Sequence, residues 1–208
     1  RELELPSNRI QKGRPRMGRP ANVPPKMNTR RPVILGLACL LPVLLAVSLL
    51  GCGSSDKKQA QGYLQAGADQ IQKIQKQAAE WQHQLISTSG ETDPSALKKG
   101  VEEIKVSATE LTRTVDGAKA EYEKISRLNG VNDYVRYADL RSAQLDMIRD
   151  MLNKTNEYLD KKVAMFNSGD LSGLAALEQQ YSNQISSISD KIQKIESDAT
   201  KFKKDKKL

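Results

Sequence analysis

Apolar residues recur along four separate runs in alternating steps of three and four, and that spacing allows little besides long amphipathic helices. The first run is Ala60, Leu64, Gly67, Ile71, Ile74, Ala78, Trp81 and Leu85. The second goes from Leu97 through Val101, Ile104, Ala108, Leu111, Val115, Ala118 and Tyr122 to Ile125. The third goes from Tyr134 and Ala138 through Arg141, Leu145 and Thr155 to Phe166, and the fourth from Leu174 and Leu177 to Phe202. Alternating threes and fours make a period of 3.5, the seam of a heptad. No stretch alternates with period two for long enough to be a strand, so the expected fold class is all-α.

The breaks between runs carry turn chemistry. Asp93 suits a helix N-cap with Pro94 at the first helical position, where the missing N–H costs nothing. Gly130 can end the second helix in the left-handed conformation, and Asn132 can cap the third. Asn167-Ser168-Gly169 repeats the stop, and Asp170 is placed to cap the fourth. The spacing predicts helices over roughly 57–87, 94–129, 132–167 and 170–204. Short connections force neighbours to run antiparallel. The expected architecture is an elongated antiparallel four-helix bundle with coiled-coil-like heptad packing over 59–204; the alternative is a pair of long hairpins that completes its core by dimerising. The third stripe is the weakest, because Arg141 and Thr155 occupy seam positions. A wider stripe drawing on Leu140, Met147, Met151 and Tyr158 is expected there, with Arg141 at its edge.

Charge divides the chain in two. Of 33 Lys and Arg against 25 Asp and Glu, nine basic and two acidic residues fall before Cys52. The remainder is nearly neutral, which removes the argument for a nucleic-acid-binding domain, since that needs its basic patch on the folded part. Seven of the eight prolines also precede Cys52. Residues 1–26 are basic and proline-rich with no apolar period, and are expected to be disordered. From Met27 the pattern changes: Asn28-Thr29-Arg30-Arg31 is a short positive region, and Pro32 is followed by an almost wholly apolar stretch from Val33 to Leu50. That order is the layout of a secretory signal, here spanning 27–51. Met27 is the expected initiator and 1–26 a mis-called extension.

The apolar stretch is long enough to span a bilayer, so a retained anchor is the alternative. Its end decides the reading. Leu49-Leu50-Gly51-Cys52 resembles the lipobox of bacterial lipoproteins, with Leu at −3, small Gly51 before the cut and Cys52 after it. The resemblance implies diacylglycerol on the Cys52 sulfur and cleavage between Gly51 and Cys52. A small residue beside the scissile bond and one nucleophilic thiol are what such chemistry requires. Cys39 lies inside the apolar stretch and reads as a small hydrophobe in a discarded segment. Residues 52–58 then form a polar, lipidated tether. The resemblance covers 27–52 and implies location, not activity: extracytoplasmic, held at the cell envelope by lipid.

Candidate chemistry in the mature chain is thin. His83 is the sole histidine and falls on the side of its helix away from the stripe. Glu80 and His83 stand three apart, but bundle metal sites use that pair twice, so no metal and no cofactor are expected. Glu102-Glu103 and Glu121 with Glu123 flank seam residues among lysines and read as a solvated face, with Glu121 and Lys124 an ordinary i,i+3 pair. Ser182, Ser186, Ser187 and Ser189 have no histidine to activate them. Trp81 with Tyr63, Tyr122, Tyr134 and Tyr137 suits core packing; the competing reading is an inter-helix ligand pocket at Trp81, Tyr134 and Tyr137, with the last two hydroxyls wet near a loop. Five lysines, Lys201, Lys203, Lys204, Lys206 and Lys207, crowd the last eight residues against one acid. They suit a helix C-terminus, or contact with anionic lipid or wall polymer, because an even number of antiparallel helices returns this end, including the tail at 205–208, towards Cys52. The expected role is a non-catalytic spacer or protein-interaction module with an envelope protein or wall polymer as partner. The alternative is a small-molecule-binding or sensory bundle, and an enzyme is the weakest reading.

Overall fold

The structure is a computed structural model that describes residues 55–208. The leader, Met27, Cys39 and the Leu49–Cys52 motif lie outside the described residues. Four helices follow one another: α1 Ser55–Ser89, α2 Pro94–Ile125, α3 Asn132–Ser168 and α4 Leu174–Lys206. There is no strand among the described residues. At 1.5 Å per residue each helix is about 48–56 Å long. The backbones pack in chain order, α1 on α2, α2 on α3 and α3 on α4, while α1 also reaches α3 through side chains at both of its ends. This is the all-helical four-helix bundle that the apolar period predicts.

α2 follows that period position by position. Its buried residues are Leu97, Val101, Ile104, Ala108, Leu111, Val115, Ala118, Tyr122 and Ile125, the complete second run. They join Ile74, Ala78 and Trp81 of α1, Leu145, Ile148 and Leu152 of α3, and Ile185, Ile188 and Ile192 of α4 in one core. Asp93 caps α2, its Oδ1 accepting from Ala96 N at 2.8 Å, with Pro94 as first residue.

Three boundaries differ from expectation. α2 stops at Ile125, and Gly130 lies within the six-residue connection 126–131; it is left-handed as expected (φ 68°) but closes the loop rather than the helix. Asn132 is the first helical residue of α3, and Val131 holds the cap position without a side-chain bond. Asp170 caps a local turn, accepting from Ser172 N at 3.1 Å, and α4 begins only at Leu174. α1 already starts at Ser55, so the end of the expected tether is helical, and α4 runs into the expected tail as far as Lys206.

Where α1 meets α2, Gly67 lets the helices close in. A Cβ there would stand 2.6 Å from Cζ of Tyr122, so the phenol ring occupies the space a side chain would take. Alanine is the better helix former by about 1 kcal/mol, yet Gly67→Ala is expected to lose about 1–3 kcal/mol by overpacking. Urea denaturation checks this. In the Tyr122→Leu background the same glycine substitution loses much less, because the ring that collides with it is gone.

Candidate functional site

The two chain ends of the described bundle gather in one place. Asp56 Oδ2 in the first turn of α1 accepts from Asn129 N at 3.0 Å. Gln61 Nε2 donates to the Tyr134 hydroxyl at the start of α3, 3.2 Å away. Lys206 Nζ at the end of α4 lies 3.1 Å from Asp133 Oδ1. α4 closes with Lys207 in the left-handed region (φ 54°) and Leu208 N bonded to Lys203 O at 3.1 Å. The basic segment therefore sits beside the first turn of α1, and Ser55 follows Cys52 by three residues. Lys201, Lys204 and Lys207 are exposed. Lys203 is half-buried, and burial, helped by the Arg141 charge, lowers its ammonium pKa.

One to four turns inside this end lies a polar network that sequence reasoning missed. Arg141 is 2% exposed, not at the edge of the stripe. Its guanidinium forks onto Glu196 of α4: one arm pairs with Oε2, and Nη2 donates to Oε1 at 3.3 Å. Nη1 also donates to Gln144 Oε1 at 2.8 Å, and Nε to the Tyr137 hydroxyl at 2.9 Å. Gln144 Nε2 (2.8 Å) and Thr200 Oγ1 (3.1 Å) donate to the same carboxylate. Burial by itself would raise the Glu196 pKa; the bonds from Arg141, its charge, and the bonds from Gln144 and Thr200 outweigh it and hold the carboxyl below its ordinary range. Tyr122 packs alongside, and burial pushes its phenol well above the ordinary value. The pairing explains why an arginine can occupy a seam position: every polar edge of it has a partner inside the bundle.

A second polar group lies toward the other end. Thr155, fully buried, bonds to Met151 O at 2.9 Å and to the Tyr181 hydroxyl at 2.9 Å. Tyr181 stacks on Tyr158 with ring centroids 4.2 Å apart. Buried Lys162 donates to Ser89 O at 3.1 Å, so a cation from α3 caps the C-terminal end of α1. Burial lowers the Lys162 pKa, against the opposing pull of Glu178 at 3.9 Å.

The candidate aromatics are not brought together. Trp81 is 1% exposed in the core, and its Nε1 has no hydrogen-bond partner. It lies twenty residues beyond Gln61, which touches Tyr134, or about 30 Å along α1. Tyr134 is half-buried, whereas Tyr137 is buried and bonded to Arg141 rather than wet, since the third stripe is wide enough to cover it. Tyr63 has the Lys124 ammonium 5.4 Å over its ring. His83, Glu102, Glu103, Glu123, Ser186 and Ser187 are exposed, and Glu121 bonds Lys124 at 2.6 Å. Among the described residues no three His, Cys, Asp or Glu side chains converge to hold a metal ion, and no helix is long and apolar enough to cross a membrane.

No family model, curated protein or solved structure matches this chain.

What remains distinctive is the sorting of charge along the bundle. No Lys or Arg occurs between Lys76 and Lys98, or between Lys162 and Lys191. Those two stretches contain the loops at 90–93 and 169–173, opposite the end where α1 begins and α4 finishes. Glu80, Glu91, Asp93, Asp170 and Glu178 occupy them.

Proposed function

We propose that this protein is a bacterial lipoprotein, anchored in the cell envelope through acylated Cys52, whose helical bundle acts as a non-catalytic spacer or protein-interaction module. The observation that carries the reading is the Leu49-Leu50-Gly51-Cys52 motif at the end of an apolar signal, three residues before α1. A bundle of long helices begun directly after a lipid anchor is long enough to extend about 50 Å from the membrane when upright. Its interior charges tie helices to one another: Arg141 of α3 pairs with Glu196 of α4, and Lys162 of α3 donates to the Ser89 carbonyl of α1. Two or three acyl chains hold such a chain durably, where one holds it marginally.

Metabolic labelling with a fatty-acid analogue in a bacterial host tests the reading. The wild-type chain is expected to take up label and to float with membranes, and Cys52→Ala to lose both while keeping its helical circular dichroism. A wild-type protein without acyl chains ends the proposal.

A second reading, a small-molecule-binding bundle, draws on one observation. The indole N–H of Trp81 is buried without a partner, as are Oε1 of Gln77 and Gln84 on the same helix.

A further inference from the structure

Only part of the sorted charge joins helices, through Lys206 with Asp133 and Lys162 with Glu178, and the exposed remainder is a candidate for outside contact. At the end where α1 begins, Lys57, Lys58, Arg127, Lys201, Lys204 and Lys207 are exposed. None of the six is ion-paired among the described residues, where the paired cations of this end are Lys124 and Lys206. The acids nearby are partly engaged: Asp56 accepts from Asn129 N, Asp133 pairs with Lys206 and Glu121 with Lys124, leaving Glu123, Asp139, Asp198 and Asp205. The opposite end carries Glu80, Glu91, Asp93, Asp160, Asp170 and Glu178 against exposed Lys98, Lys99 and Lys161 and buried Lys162, so acids outnumber cations there.

We propose that the basic end rests on the anionic phospholipid headgroups of the bilayer that holds Cys52, so that the bundle stands on the membrane with the 90–93 and 169–173 loops directed away from it. This rests on the acylation reading above. The three peptide steps from Cys52 to Ser55 span at most about 11 Å, so the anchor keeps the first turn of α1 within about one Debye length of the headgroups. Lys57 and Lys58 belong to that turn, and the packing of α1 with Asn129, Tyr134 and the end of α4 brings Arg127 and the terminal lysines to the same level. A point anchor by itself leaves the tilt of a long bundle free. Charge removes that freedom. Upright, the six cations meet the negative surface and the acidic end is about 50 Å away, where its field is screened. Lying flat, the acidic end is pressed against charge of its own sign. Anionic lipid is favoured over a free polymer because the anchor fixes headgroups, and nothing else, at this distance.

The experiment uses the full chain, made and acylated in a bacterium and reconstituted into vesicles with an energy acceptor on the headgroups. Donor dyes are placed by Gly90→Cys at the far end or Ser126→Cys at the near end. In phosphatidylglycerol-rich vesicles, strong transfer is expected from position 126 and at least several-fold weaker transfer from position 90. The contrast shrinks in pure phosphatidylcholine, in high salt, and when Lys57, Lys58, Lys201, Lys204 and Lys207 are all changed to Glu, with helical circular dichroism retained. Equal transfer from both positions in phosphatidylglycerol, or a contrast indifferent to lipid charge and to the lysine reversal, overturns the proposal while leaving the anchor intact. A protein that fails to float with the vesicles at all overturns the acylation reading, and this one with it.

Discussion

Arg141→Ala is expected to destabilise the bundle by about 2–3 kcal/mol, less than for a fully buried ion pair because the Glu196 side chain left behind is 26% exposed and takes water in exchange. The substitution leaves the Glu196 carboxylate without its guanidinium, and Gln144 and the Tyr137 hydroxyl without a shared partner, inside the seam between α3 and α4. Chemical denaturation followed by circular dichroism measures the loss. The double variant Arg141→Met with Glu196→Leu recovers most of it, because two apolar side chains leave no charge uncompensated. The same pair predicts an acid response of definite sign. The Glu196 pKa is lower in the folded protein than in the unfolded chain, so its contribution is complete above the ordinary carboxylate range near pH ~4 and is lost as pH falls through the depressed folded value. Between those limits wild type loses stability on acidification, whereas Glu196→Gln, starting less stable, shows a shallower slope. Parallel slopes contradict the assignment.

That network marks the limit of what could be read without the structure. Where every seam position is apolar, as from Leu97 to Ile125, the period identifies the buried face outright. α3 buries Arg141, Gln144, Thr155 and Lys162 along with its apolar residues, and each of the four is satisfied partly from far along the chain: Arg141 and Gln144 by Glu196, Thr155 by Tyr181, Lys162 by Ser89. A heptad count ranks such positions as defects because it contains no term for a partner on another helix. A signal was present, since an arginine on an apolar stripe with a glutamine three residues later demands a buried acid. Caps divide in the same way. Asp93 was legible because Pro94 permits only one reading, while Asp170 spends its carboxylate on Ser172 N, a local turn that competes with helix initiation. The candidate site was legible in part: counting helices returns the terminal lysines to the chain's start and brings the stretches free of Lys and Arg to the other end, but only the folded arrangement shows which of the lysines stay exposed and which are half-buried or paired.

Trp81→Ala is expected to cost about 3–5 kcal/mol, and Trp81→Phe well under half of that. The indole is packed in the core with Ile74 and Ala78 of its own helix and the apolar stripe of α2. Truncation to alanine removes most of that buried surface and leaves a cavity that rigid neighbouring helices can only partly fill. Phenylalanine keeps a six-membered ring and gives up the pyrrole part of the indole, whose N–H has no partner to lose. Trp81 is also the chain's one tryptophan, so its emission follows wild-type unfolding directly and should shift to longer wavelength in a single step with the helical signal. The pair of substitutions separates the two functional readings. If the indole only packs, Trp81→Phe retains stability and membrane-associated behaviour alike. If Trp81→Phe abolishes a small-molecule thermal shift that wild type shows, the buried N–H has a partner. In that case the binding reading replaces the spacer.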